Sequence, residues 1–227
     1  MRWAIPLRLL VALVGVAGFP ASDAELQVAD ADAVYHDAET GFVFSEASAK
    51  YSIDGSVVVF RVAVPSPSAS GTGFDVVLQV VSPKNVGWVG LAWGGGMARN
   101  PLTVAWWNNN QAVVSSRYSP GHTYPTPYSG ATVNVFKTGT KSNGTHWQFT
   151  AKCTGCTTYT TDTGRNVVLN PNGGNRLAFA YAASRPSNPA SNLSSFSEHD
   201  VFAYWSHDFN AGKNTDFQTL VAKNLGR

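Results

Sequence analysis

Residues able to hold a redox metal are few in this chain, and their types are unusual together. Beyond Met1 there is a single methionine, Met97, set in the glycine-rich turn Trp93-Gly94-Gly95-Gly96-Met97. A lone thioether beside flexible backbone could plug an irregular gap, as methionines commonly do. It could equally serve as a soft axial ligand on a haem iron, where Met paired with His raises the reduction potential. Five histidines could complete such a pair: His36, His122, His146, His199 and His207. No two of them have chelate spacing on a strand or helix, so a zinc or copper site built from several imidazoles has no motif behind it.

Other chemistries find less support. No serine sits in a G-x-S-x-G elbow, and there is no HExxH, P-loop or dinucleotide-binding glycine motif. The carboxylates are few and scattered, so a paired acid and base for glycoside cleavage cannot be located. The two cysteines form Cys153-Thr154-Gly155-Cys156. In an exported protein that spacing reads as a disulfide closing a tight loop. A thioredoxin-like redox pair would need a βαβ setting that the surrounding sequence lacks. Covalent haem attachment would need histidine at position 157, where the chain has Thr157. Any haem must therefore be held without thioether bonds.

These residues must be positioned by an exported domain. Residues 1–24 read as a signal peptide: a basic Met1-Arg2, an apolar run over 9–18 too short to span a bilayer, and the small residues Ser22-Asp23-Ala24. Residues 25–227 are then expected to form one mature domain, secreted and extracellular. The sequons Asn143-Gly144-Thr145 and Asn192-Leu193-Ser194 fit a secretory route and mark Asn143 and Asn192 as glycosylation candidates. The formal net charge is +2, with no basic run or stripe. Nucleic acid and membrane are therefore poor partners.

Strand-like windows recur along the chain, at 57–64 (VVVFRVAV), 74–81 (FDVVLQVV), 86–93 (VGWVGLAW), 102–107 (LTVAWW), 112–115, 131–136 (ATVNVF), 146–151, 177–183 (LAFAYAA) and 201–205. They are rich in Val, Phe, Trp and Tyr, and Gly, Pro, Ser and Asn fill the gaps. Many short strands at this spacing predict an all-β fold, an antiparallel immunoglobulin-like β-sandwich with long loops and little helix. One short terminal helix is expected over 216–221, with Phe217, Leu220 and Val221 on one side. The polar loop 184–195 leads into Phe196-Ser197-Glu198-His199-Asp200 and places His199 just before a strand.

The order of several motifs resembles the cytochrome domain of fungal cellobiose dehydrogenase, the haem-b, iron-reductase group of the DOMON-like sandwiches. The matching stretches are Gly87 to Met97, then Asn100-Pro101-Leu102, Ala105-Trp106, Pro125-Thr126-Pro127-Tyr128, His146-Trp147, Cys153-Thr154-Gly155-Cys156 and Glu198-His199-Asp200. Thr40-Gly41-Phe42-Val43-Phe44 looks like that family's opening strand, and the likeness runs from about residue 35 to 215. It implies haem b, one per chain and non-covalent, inside one end of the sandwich. Met97 and His199 match the axial ligands, with His207 as the rival histidine. Tyr124, Tyr128 and Arg176 are candidate partners for the propionates near the mouth.

With both axial sites filled by protein, such an iron suits outer-sphere electron transfer. The resemblance implies a one-electron carrier between a flavin dehydrogenase and a lytic polysaccharide monooxygenase or a ferric complex. Two departures stand out. The sequence ends at Arg227 without a flavin-binding fingerprint, so a free-standing cytochrome and a fragment are both open. Its pI of about 8.6 contrasts with the acidic domains of the family. A haem-free carbohydrate-binding sandwich is the alternative, using Trp107 beside Asn108-Asn109-Asn110 as a platform for sugar. A plain adhesion domain of the same architecture is a third reading.

Overall fold

The computed structural model describes residues 28–50 and 55–226. The expected signal peptide at 1–24 lies outside them. Among the described residues sixteen strands follow one another: β1 (Val28–His36), β2 (Val43–Lys50), β3 (Val57–Pro65), β4 (Val76–Pro83), β5 (Trp88–Ala92), β6 (Pro101–Asn108), β7 (Gln111–Tyr118), β8 (Thr126–Pro127), β9 (Thr132–Val135), β10 (Lys141–Ser142), β11 (His146–Thr154), β12 (Thr158–Thr160), β13 (Asn166–Val168), β14 (Gly174–Ala182), β15 (Val201–Asp208) and β16 (Lys213–Asn214). A helix, α1 (Phe217–Leu225), closes the series.

One large sheet runs β1-β2-β3-β4-β11-β10, with β9 on β11 and β16 parallel to β3; a second runs β15-β14-β5-β6-β7-β8, and β12 and β13 pair as a separate hairpin. Strand residues alternate between faces, and the inward set from both sheets forms the main core. Phe60, Val62 and Leu78 from the first sheet meet Leu91, Phe179 and Trp205 from the second. This is the antiparallel sandwich that the strand windows predict.

Both outer faces are also apolar, which the simple alternation of a sandwich does not require. On the first sheet, Phe42, Phe44, Ala63 and Val77 are covered by Phe217, Leu220 and Val221 of α1. These are the three helix residues expected on one side. The helix runs on to Leu225 and ends where Gly226 takes φ 73°, a left-handed conformation that suits glycine. On the second sheet, Trp88, Ala92, Leu102, Val104, Trp106 and Ala178 form another buried cluster. Hence all five residues of β5 are buried.

Two differences from the sequence expectations have simple causes. The first described strand is β1, ahead of the expected opening strand, which corresponds to the start of β2. Its alternating Ala and Asp are weak strand formers, and pairing with β2 supplies what propensity does not. Trp107, the proposed sugar platform, packs against the main core, its ring 6.4 Å from that of Trp147.

Candidate functional site

The outer face of the second sheet floors a cavity of about 780 Å³, within the ~300–1,000 Å³ range of small-molecule and cofactor sites. Floor residues include Trp88, Gly90 and Ala92 from β5, Leu102 and Val104 from β6, and Ala178 and Ala180 from β14. Gly90 keeps the floor low: a Cβ there would stand 3.3 Å from Trp88 Cζ3 and 3.9 Å from Val104 Cγ2. The site therefore sits outside one sheet, whereas the family resemblance placed it inside one end of the sandwich.

Two loops rise from this floor at opposite ends of its strands. Ala92 pairs with Ala178, and the chain leaves β5 there into the turn that carries Met97. Tyr181 pairs with Val201 at the other end, where the chain enters β15 just after His199. The interval from Ala178 to Tyr181 along β14 amounts to roughly 10 Å of strand. Met97 and His199 thus belong to loops at opposite ends of one apolar floor, and both line the same cavity.

The methionine turn is shaped by its neighbours. Asn100 Nδ2 donates to Gly96 O at 2.8 Å and Ala98 O at 2.9 Å, tying down the backbone on either side of Met97. Tyr159 Oη donates to Asn100 Oδ1 at 2.6 Å. Gly94 is required by close approach, because a Cβ there would lie 1.7 Å from Asn100 Oδ1 and 2.1 Å from Tyr159 Oη. Burial pushes the Tyr159 phenol up to about 12, so it is a stable donor at neutral pH.

The histidine is fixed from both flanks. Asp200 N donates to Tyr181 O at 3.0 Å, and Ala183 N donates to Asp200 Oδ2 at 2.7 Å. The His199 ring lies 4.7 Å from that of Phe202. On the N-terminal side Phe196 packs against Trp88 and Tyr124, with ring centroids 4.9 and 5.4 Å apart. Tyr124 Oη accepts from Phe196 N at 3.1 Å.

The other candidates divide. Tyr124 and Arg176 line the cavity; Tyr124 is 47% exposed, and the Arg176 guanidinium sits 4.7 Å above the Tyr204 ring. Tyr128 is not among the lining residues, because its ring stacks on Tyr118 at 5.2 Å. His207 points the other way from the cavity. It falls on the inward phase of β15, wholly buried, where Trp205 Nε1 donates to its Nδ1 at 3.0 Å. Asn143 and Asn192 are both exposed. Cys153 and Cys156 form the expected disulfide. His122, one of the five candidate histidines, and Glu198, from the motif around His199, also line the cavity and add polar groups to it.

One thioether, Met97, and two imidazoles, His122 and His199, border an apolar floor, and a haem iron takes thioether and imidazole donors. Among the described residues, no three His, Cys, Asp or Glu side chains cluster as a cage for a hard or borderline cation. Also among the described residues, no helix is long and apolar enough to cross a membrane.

Comparison with known proteins supplies the wider setting. The family described as the cytochrome domain of cellobiose dehydrogenase matches residues 35–219. The pyrroloquinoline quinone-dependent pyranose dehydrogenase of Coprinopsis cinerea is 24% identical over 217 residues, 95% of this chain but 27% of that protein. The chain thus spans about a quarter of the length of this relative. Among solved structures, the cytochrome b domain of Coprinopsis cinerea pyranose dehydrogenase superposes with TM-score 0.72 at 22% identity, covering 86% of this chain and 96% of that one. The cytochrome domain of Myriococcum thermophilum cellobiose dehydrogenase gives TM-score 0.76 at 19% identity, with the same coverage.

Proposed function

This chain belongs to the family of cytochrome domains of cellobiose dehydrogenase, and from that premise we propose that it is a secreted one-electron carrier holding haem b between Met97 and His199. The observation that carries this reading is that both residues line one cavity, from loops at opposite ends of an apolar sheet face. Met97 and His199 are the residues that would hold haem b there, and the group would supply an Fe(III)/Fe(II) couple for one-electron transfer.

The protein's own residues then have separate tasks. The floor of Trp88, Ala92, Leu102, Val104 and Ala178 excludes water and lowers the local dielectric. Arg176 and Tyr124, at the exposed mouth, would receive the propionates: one offers a cation and the other a phenol. Asn100 and Asp200 hold the two ligand loops so that little reorganisation accompanies electron transfer.

The donor in this reading is a dehydrogenase. The matched family and the Coprinopsis cinerea relative are both named for dehydrogenases, which supports that class of partner. A lytic polysaccharide monooxygenase or a ferric complex is the acceptor that the family resemblance implies. Contacts with either would be weak and short-lived, as redox encounters are.

The test is optical. Protein produced with haem available should be coloured, low-spin when oxidised, and show sharp α and β bands when reduced. Met97→Ala should raise the high-spin fraction and lower the midpoint potential, and His199→Ala should lose the low-spin signature. Colourless protein, or spectra indifferent to both substitutions, would end this reading.

A further inference from the structure

Arg117 lies on β7, beneath the loop that leads to His199, and is 1% exposed. Among the described residues its acceptors are all neutral. Nε donates to Ser115 Oγ at 2.6 Å and Nη1 to Pro125 O at 3.3 Å. Nη2 donates to Asn192 O at 2.9 Å and Ser194 O at 2.7 Å. Ser115 Oγ also donates to Asn192 O, at 2.6 Å. The guanidinium carbon is 5.4 Å from the Phe196 ring centroid.

A buried cation that meets no carboxylate is costly to fold around. What it gains here is geometry. Carbonyls 192 and 194 belong to a loop outside the sheets, and buried carbonyls need donors. A planar fork can serve several converging oxygens at once, which an ammonium on a flexible stem does less well. The same group braces Phe196, which with Ser197, Glu198 and His199 forms the histidine side of the cavity. It also holds Pro125 O, next to Tyr124 at the rim.

We propose that Arg117 is a positioning residue: by gripping the 192–194 backbone and bracing Phe196, it sets the placement of His199 as an axial ligand. The proposal rests on the haem reading above. It assigns Arg117 no contact with the cofactor or with any reactant. Asp200 fixes the far side of His199, so loss of Arg117 frees only the near side.

The experiment compares haem-loaded wild type, Arg117→Gln, Arg117→Lys, Ser115→Ala and His199→Ala. For each, the oxidised spectrum, carbon monoxide binding by the reduced protein, and amide exchange of residues 187–198 are recorded. Arg117→Gln is expected to retain haem with a mixed-spin spectrum and to bind carbon monoxide, as His199→Ala should. Exchange in the loop should rise about tenfold or more. Arg117→Lys, with the charge but without the fork, should fall between Gln and wild type. Ser115→Ala should move every readout in the same direction by less.

A role in stability alone predicts a lower melting temperature with a wild-type spectrum and no carbon monoxide binding; that result for Arg117→Gln overturns the proposal. If Arg117→Gln fails to fold, Ser115→Ala decides by the same readouts. A colourless wild type, or a His199→Ala spectrum unchanged from it, instead strikes the haem reading. Loop exchange reports the anchoring without haem, which keeps the two failures distinct.

Discussion

The hydroxyl of Tyr159 meets the amide of Asn100 at 2.6 Å, and with the Arg99–Asp162 ion pair at 3.2 Å that contact joins the β12–β13 hairpin to the turn carrying Met97. Asn100 passes the constraint on through its hydrogen bonds to Gly96 and Ala98, on either side of the methionine. The placement of Met97, read as a ligand, therefore depends on a tyrosine 59 positions after Asn100 in the chain.

Replacing Asn100 by Ala leaves the two turn carbonyls and the Tyr159 hydroxyl without their partner. The expected cost is about 2–3 kcal/mol in urea unfolding, with a partial shift of the haem-loaded protein to high spin. Tyr159→Phe should be milder, about 1 kcal/mol. An unchanged spectrum in Asn100→Ala would show that Met97 holds its place without the tether.

Gly94→Ala tests the close approach directly. The added Cβ would fall inside the Asn100 and Tyr159 side chains, so the tether must give way. A loss of about 1–3 kcal/mol is expected from overpacking. The midpoint potential should fall together with stability, because the same displacement loosens Met97. Gly144→Ala, where nothing lies within 4 Å of the new Cβ, is the control.

Alkaline stability should show the buried phenol. Tyr159 binds its proton more tightly folded, with a value near 12, than unfolded, near 10. Its contribution is therefore complete below about pH 10 and is lost as pH rises through about 12. Wild type should destabilise more steeply than Tyr159→Phe across that interval. Parallel curves in chemical denaturation would contradict the assignment.

The disulfide closes only a short loop, so a Cys153→Ala, Cys156→Ala double variant should lose about 2 kcal/mol in the chain-entropy picture. Cys156 Sγ lies 3.9 Å from Thr103 Oγ1, which accepts from Trp93 Nε1 at 2.9 Å. Hydrogen exchange should accordingly rise in β12 and at Trp93, while β1–β3 stay protected. A global rise would mean that the bridge serves the whole sandwich.

Trp107→Ala separates a core role from a sugar platform. Its packing against Trp147 predicts a loss of about 2 kcal/mol, with no change in retention on insoluble glucan. Lost retention at unchanged stability would restore the carbohydrate-binding reading.

Much of the architecture was legible because strand period, turn residues and helix amphipathicity are local properties. The windows around β3 to β7, β11, β14 and β15, and the buried side of α1, all follow from short stretches of sequence. The weak point was β1, whose Ala and Asp residues are held by pairing with β2. Arg117 gave no local sign of its burial or of its contacts, since its acceptors lie as far as 77 residues away. The site did leave one trace. Strands β5 and β6 are apolar on both faces, although an antiparallel sandwich needs only one. That second face is the floor of the cavity.

By itself the sequence determined which groups were available: one thioether in a glycine turn, five imidazoles, a CxxC pair and a series of strands. Only the tertiary structure decided which of them meet. His199 precedes β15 and His207 lies within it; the two-residue period of β15 sends His207 inward to Trp205, while His199 stops short of the strand at the cavity. With apolar residues on both faces of the neighbouring strands, local pattern cannot say which face looks into the core. That choice is made by the packing of one sheet on the other.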